Sequence, residues 1–244
     1  KIAIHRLSLH DVGHDALHYF THADKGIFHL IKELIVKPGK IAREFVEGKR
    51  KKYFPPLNFF LIVAAISVFM ASLVYNYKAK QYARQKQSVH SNSTPPSRPV
   101  YITAKMERGA KVGKFFGKYS NIVSMAAVPI ISFLMWLFYS RSKYNYTEHL
   151  VANMYMGGLT VLFYALIIQP TTFLGVDPTK VIYLYFVFEV GYRSISYYHF
   201  MHQKKTSSLI KAIWTNVLVI GFWIFTTGFI IRMYIENALW GWLD

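Results

Sequence analysis

The chain has 244 residues, 53% of them hydrophobic and 17% aromatic, with a formal net charge of +17 and no cysteine. The lack of cysteine excludes disulfides and thiolate metal sites within these residues. The apolar residues gather into five long runs with too little polar sequence to cover them in water, so the composition points away from a soluble domain and to an all-α, polytopic membrane helix bundle of about five transmembrane helices.

The first element is "LHDVGHDALHYFTHADKG", in which His10, His14, His18 and His22 stand four residues apart. Four residues are slightly more than one helical turn, so a helix carries all four rings on one stripe. Two short pieces follow. "IFHLIKELIV" stops at Pro38-Gly39 and "KIAREFVEG" ends at Gly48, a natural residue for a helix C-terminus, so residues 1–56 read as a cytoplasmic or interfacial region of short helices. Lys49, Arg50, Lys51 and Lys52 then precede Tyr53 and Phe54. A basic head beside aromatic rings is how a chain meets lipid headgroups as it enters a bilayer. No charged-then-apolar leader precedes "KIAIHRLSL", so the first span is expected to act as its own insertion signal.

The predicted spans are 57–75, 121–139, 149–168, 181–198 and 212–231, each close to the length that crosses a hydrocarbon core. Between the first two lies a long basic loop, 76–120, expected on the periplasmic side. Its middle, "QSVHSNSTPPSRP", reads as a flexible polar segment, and its end from about Lys105 continues helically into the second span. Residues 232–244 form an interfacial tail. No internal repeat is visible, which gives an inverted-repeat transporter no support.

Orientation follows from the basic residues. Residues 1–56 carry eleven Lys and Arg, and with that end cytoplasmic the connections at 140–148 and 199–211 are also inside, with Arg141, Lys143, Lys204, Lys205 and Lys211, whereas 169–180 holds only Lys180. The N-terminus is therefore expected inside and the C-terminus outside. Because the basic residues flank apolar spans, anionic lipids are the expected partners and nucleic acid is not.

The stretch "DKGIFHLIKELIVKPGKIAREFVEGKRKKYFPP" resembles the signature of an uncharacterised bacterial membrane family found largely in Bacteroidota, domain of unknown function 3667. Its "d-k-g" turn corresponds to Asp24, Lys25 and Gly26, its "P-G-k" break to Pro38, Gly39 and Lys40, and its membrane entry to Gly48, Lys49, Arg50, Tyr53 and Pro56. "YTEHLVANMY", Tyr146 to Tyr155, resembles the family's opening of a later span. The resemblance implies an inner-membrane protein and supplies no reaction, substrate or catalytic residue. The cysteine zinc ribbon that family members often carry upstream does not occur in this sequence.

The polar residues leave three function classes open. Zinc or iron could be held by His10, His14, His18 and His22 together with Glu148, His149, His199 and His202, which the topology brings to one side. "HDVGH" and "HFMHQ" are similar to the histidine boxes of membrane di-iron desaturases, though the doubled-histidine boxes of those enzymes are missing. The plainer reading is a histidine stripe along a helix lying at the membrane interface. Glu189 and Arg193, four apart inside a hydrophobic run, are expected to point into the bundle, as a neutralised pair completed by Tyr192 or Asn153 or as an ion or proton relay. "YMGG", Tyr155 to Gly158, offers a small-residue face for a neighbouring helix. No phosphate loop, nucleophile elbow or catalytic carboxylate pair is present, and no catalytic residue is assigned. The favoured expectation is a non-enzymatic membrane component that docks lipids or other membrane proteins, copies of itself included, through Lys49, Arg50, Lys51, Lys52 and the rest of a basic cytoplasmic face. A channel or transporter built on Glu189 and Arg193 is the main alternative, and a histidine-ligated metal enzyme the next.

Overall fold

A computed structural model describes residues 26–92 and 104–236. It is all-α, with no strand among the described residues. The stripe from His10 to His22 lies outside them.

Helix α1, residues 26–36, turns Leu30 and Leu34 inward, one helical turn apart. Pro38 and Gly39 end it, and Gly39 takes the left-handed conformation, φ 76°, from which α2 (Lys40–Val46) starts. The inner face of α2 is Ile41, Ala42 and Glu44. Gly48, φ 107°, turns the chain into a 3-10 turn at Arg50–Lys52. Helix α3, Pro56–Asn92, opens with proline in its first position, where the missing N–H costs nothing.

Here the structure differs from the expected loop at 76–120. Residues 76–92 continue α3, while 104–120 form the first half of α4, Ala104–Phe138, the helical continuation expected from about Lys105. "NYKAKQYARQKQ" explains the first extension. Lys, Ala, Gln and Arg are strong helix formers, and an apolar helix already nucleated in front of them needs only to propagate.

A capping box starts α5, Tyr146–Phe163. The Asn145 side chain accepts from the Glu148 N–H at 3.0 Å, while the Glu148 carboxylate accepts from the Asn145 N–H at 2.7 Å. The helix loosens into a π turn at Tyr164–Ile168 and tightens into a 3-10 turn at Gln169–Leu174. Helix α6, Pro178–Phe200, again begins with proline. It closes with the Gln203 N–H donating back to the Tyr198 carbonyl at 3.2 Å, His202 standing at φ 53° where glycine is usual. Helix α7 covers Thr206–Glu236.

The core is built around α5, whose Ala152, Tyr155 and Met156 are buried against Phe59 and Val63 of α3 and Ile131 and Met135 of α4. The glycines of "YMGG" face two neighbours. A Cβ on Gly158 would lie 2.5 Å from the Phe59 ring, and one on Gly157 would lie 3.2 Å from Nη2 of Arg193.

Among the described residues, Arg50–Gln81, Tyr146–Leu174 and Thr206–Glu236 are long and apolar enough to cross a bilayer, and Met125–Phe138 is a shorter apolar segment. On that ground the chain is a membrane protein. Their surfaces agree, since Phe69, Leu166, Trp214, Phe225 and many other large apolar side chains are exposed, which water would penalise and hydrocarbon would not.

Candidate functional site

Two sets of polar side chains stand out: one at the end of the bundle that carries α1 and α2, the other between α5 and α6.

The first docks the N-terminal helices. Arg43 of α2 donates through Nη1 to the His199 carbonyl at 2.8 Å and contacts Nδ1 of His202 at 2.6 Å. Nδ1 of His199 lies 3.0 Å from the Pro38 carbonyl, and the Tyr192 hydroxyl donates to the Leu34 carbonyl at 3.2 Å. Gly39 lies so close to α6 that a Cβ there would come 1.8 Å from the Ser196 carbonyl oxygen. On the other flank, Lys143 of the α4–α5 connection donates to Glu47 at 2.9 Å, and the Tyr155 hydroxyl donates to the Phe54 carbonyl at 2.6 Å. The α4–α5 and α6–α7 connections thus gather at the same end as α1 and α2.

Glu44 organises the basic run. It is buried, accepts the Tyr53 hydroxyl at 2.7 Å, and has Lys49 and Lys52 at 3.5 Å and Lys40 at 3.9 Å. The Tyr53 hydrogen bond, aided by the charges of Lys49 and Lys52, holds its carboxyl down to about 2. Glu47 is likewise lowered, chiefly by its hydrogen bond from Lys143. All four residues expected at lipid headgroups are exposed, but they divide. Lys49 and Lys52 have their ammonium groups on Glu44, whereas Arg50 and Lys51 have no acidic partner among the described residues.

The second set is the Glu189–Arg193 pair of α6. Arg193 donates through Nε to Glu189 at 3.2 Å and through Nη1 to the Asn153 side-chain oxygen at 3.3 Å. Asn153 in turn donates to the Tyr197 hydroxyl at 2.7 Å and to the His149 carbonyl at 3.0 Å. The guanidinium is almost fully enclosed, its side chain 5% exposed, while Glu189 keeps 17%. Asn153 therefore completes the pair as expected, and Tyr192 does not, because its hydroxyl is turned to Leu34.

The four described candidates for a metal shell are not brought together. Glu148 caps α5, His199 and His202 hold α2, and His149 is fully buried. The His149 ring is stacked on Tyr197 with centroids 6.0 Å apart, and neither of its nitrogens has a hydrogen-bond partner among the described residues. No group of three His, Cys, Asp or Glu among the described residues is arranged for a metal ion. Since His10, His14, His18 and His22 fall outside them, the full proposed ligand set is not described.

The docked helices and the membrane entry form one continuous piece, and it is this piece that a known family covers. Residues 24–68 match DUF3667, described as a protein of unknown function. No curated protein and no solved structure matches the chain. The DUF3667 segment therefore comprises α1, α2, the 3-10 turn and the first part of α3, and it includes Gly39, Arg43, Glu44 and the basic run. Sequence reasoning missed Arg43 and Glu44 as organising residues. The available signal was Glu44 and Glu47 as the acids within "KIAREFVEGKRKKY", since an acid inside so basic a stretch has cations within reach on every side.

Proposed function

We propose that this protein is a non-enzymatic, five-span component of the bacterial inner membrane, with a cytoplasmic N-terminus, that docks anionic lipids or protein partners through its basic cytoplasmic face. The observation that carries the reading is the division of labour among the cations at one end. Arg43, Lys49, Lys52 and Lys143 bond within the protein, while Arg50, Lys51, Arg141, Lys204 and Lys205 are exposed with no acidic partner among the described residues. Unpaired cations ringing the mouth of a bundle attract phosphate-bearing headgroups, each contributing roughly 1 kcal/mol near an anionic surface.

The test is purification in mild detergent of the wild type and of a variant with Arg50, Lys51, Lys204 and Lys205 all changed to Glu. The wild type is expected to retain acidic phospholipid in excess of its share of the membrane, with the excess falling at high salt, and the variant to lose it. Equal acidic lipid in both would sink the reading.

The rival reading, conduction through Glu189 and Arg193, draws on the burial of that charged pair. Against it, Arg193 is tied to both Glu189 and Asn153, which suits a fixed joint better than a mobile carrier of charge. Flux in reconstituted vesicles that disappears with Glu189→Gln while the protein stays assembled would favour conduction.

A further inference from the structure

At the same end of the bundle, a cleft of about 490 Å³ opens between the α4–α5 connection, the end of α6 and the start of α7. Its polar lining includes Arg141, Ser142, Gln203, Ser208 and Lys211, and no carboxylate lines it. Its wall is aromatic, with Tyr139, Tyr197 and Tyr198. Lys211 stands over the Tyr139 ring at 4.7 Å, which fixes the ammonium without neutralising it, and Arg141 has no acidic partner among the described residues. Two uncompensated cations, hydroxyl and amide groups and no acid make a cleft suited to a phosphate group.

The helix below the cleft narrows the choice of phosphate. Lys211, Trp214, Leu218, Phe222 and Phe225 follow one another at three- and four-residue steps and so share one face of α7. Trp214, Leu218, Phe222 and Phe225 are all exposed. Phe138, also exposed, lines the cleft itself. A cation at the head of a bare apolar stripe that begins with tryptophan matches one molecule of phospholipid, phosphate above and acyl chains below. A free phosphate compound would use the head of this site and leave the stripe empty.

We propose that this cleft is a discrete binding site for a single anionic phospholipid, its phosphate held by Arg141 and Lys211 and its chains laid along the Trp214–Phe225 face. The inference sharpens the docking reading above and rests on it. It differs in predicting one tightly held lipid rather than a diffuse excess.

Native mass spectrometry of the purified full chain tests it, with phosphatidylglycerol, phosphatidylcholine and inorganic phosphate added in turn to delipidated protein. Stoichiometric, salt-resistant retention of phosphatidylglycerol is expected. It should weaken about 30-fold in Arg141→Ala/Lys211→Ala, the factor expected from losing two cations at an anionic group. Trp214→Ala should weaken it while leaving the response to inorganic phosphate unchanged. Unaltered retention in the Arg141/Lys211 variant, equal retention of phosphatidylcholine, or displacement of the lipid by millimolar phosphate would each overturn the proposal. The variant with Arg50, Lys51, Lys204 and Lys205 changed to Glu separates the two readings. A diffuse excess lost there, with no discrete lipid in the wild type, defeats the site alone; a discrete lipid without any diffuse excess defeats only the broader docking surface.

Discussion

A methyl group on Gly39 would meet the Ser196 carbonyl oxygen at 1.8 Å, in a backbone conformation, φ 76°, that L side chains seldom adopt. Gly39→Ala should therefore release α1 and α2 from α6, at a cost of at least about 2 kcal/mol, seen as a lower melting temperature in detergent and faster proteolysis within residues 26–53. Gly48 is the control. It also has a positive φ, 107°, but no atom lies within 4 Å of its missing Cβ, so Gly48→Ala should cost only the strain of the backbone, about 1 kcal/mol. Equal effects at the two positions would mean that contact with Ser196 does not hold the segment. At Glu44 the control is pH. Its carboxyl is lowered from an ordinary 4.5 to about 2 in the folded protein, so its contribution is complete above about pH 4.5 and disappears as the pH falls toward 2. Protection of the α2 amides against hydrogen exchange should fall across that window, and Glu44→Gln should flatten the profile.

Between elements, Glu189 and Arg193 act as a joint linking α6 to α5 through Asn153. Arg193→Met leaves a carboxylate in an apolar setting and should destabilise the protein by about 3 kcal/mol, whereas Arg193→Met combined with Glu189→Leu should recover most of that loss, because no charge is left stranded. Denaturation of both variants in detergent reads this directly, and a double variant no better than the single one would mean that the pair does more than neutralise itself. This joint was partly legible in the sequence, because two ionisable residues one helical turn apart in an apolar run must face protein. Its partner Tyr197 was not, since forty-four residues separate it from Asn153 in the chain and no local pattern reports a contact between helices. The docking contacts of Arg43 were hidden for the same reason, while Gly39 and Gly48 marked turns without saying what pressed against them. The helical extension of α3 was legible in its propensities but hidden by the polar residues that follow it, which read equally well as loop.

For the whole molecule, the lack of native cysteine makes sidedness directly measurable, because each introduced thiol is the sole one present. Cysteines at Lys51, Arg141 and Lys204 should react with an impermeant maleimide from one side of the membrane, and a cysteine at Leu174 from the other. Labelling of Lys51 and Leu174 positions from the same side would overturn the proposed five-span topology. The all-α class and membrane nature followed from composition and run length, because both are properties of averages over many residues. The number of spans is harder to read, since α6 carries Lys180, Glu189 and Arg193 and is not apolar enough to stand out by hydropathy alone.

The length of α3 has a consequence of its own. Thirty-seven residues at 1.5 Å each make a rod of about 55 Å, and a hydrocarbon core takes only about 30 Å of it. With its proline start at one surface of the core, as the five-span reading has it, the rod overshoots the opposite surface by about 25 Å. On the five-span reading the protein stands taller than the bilayer, and a post carrying Lys78, Lys80 and Arg84 rises from that far surface.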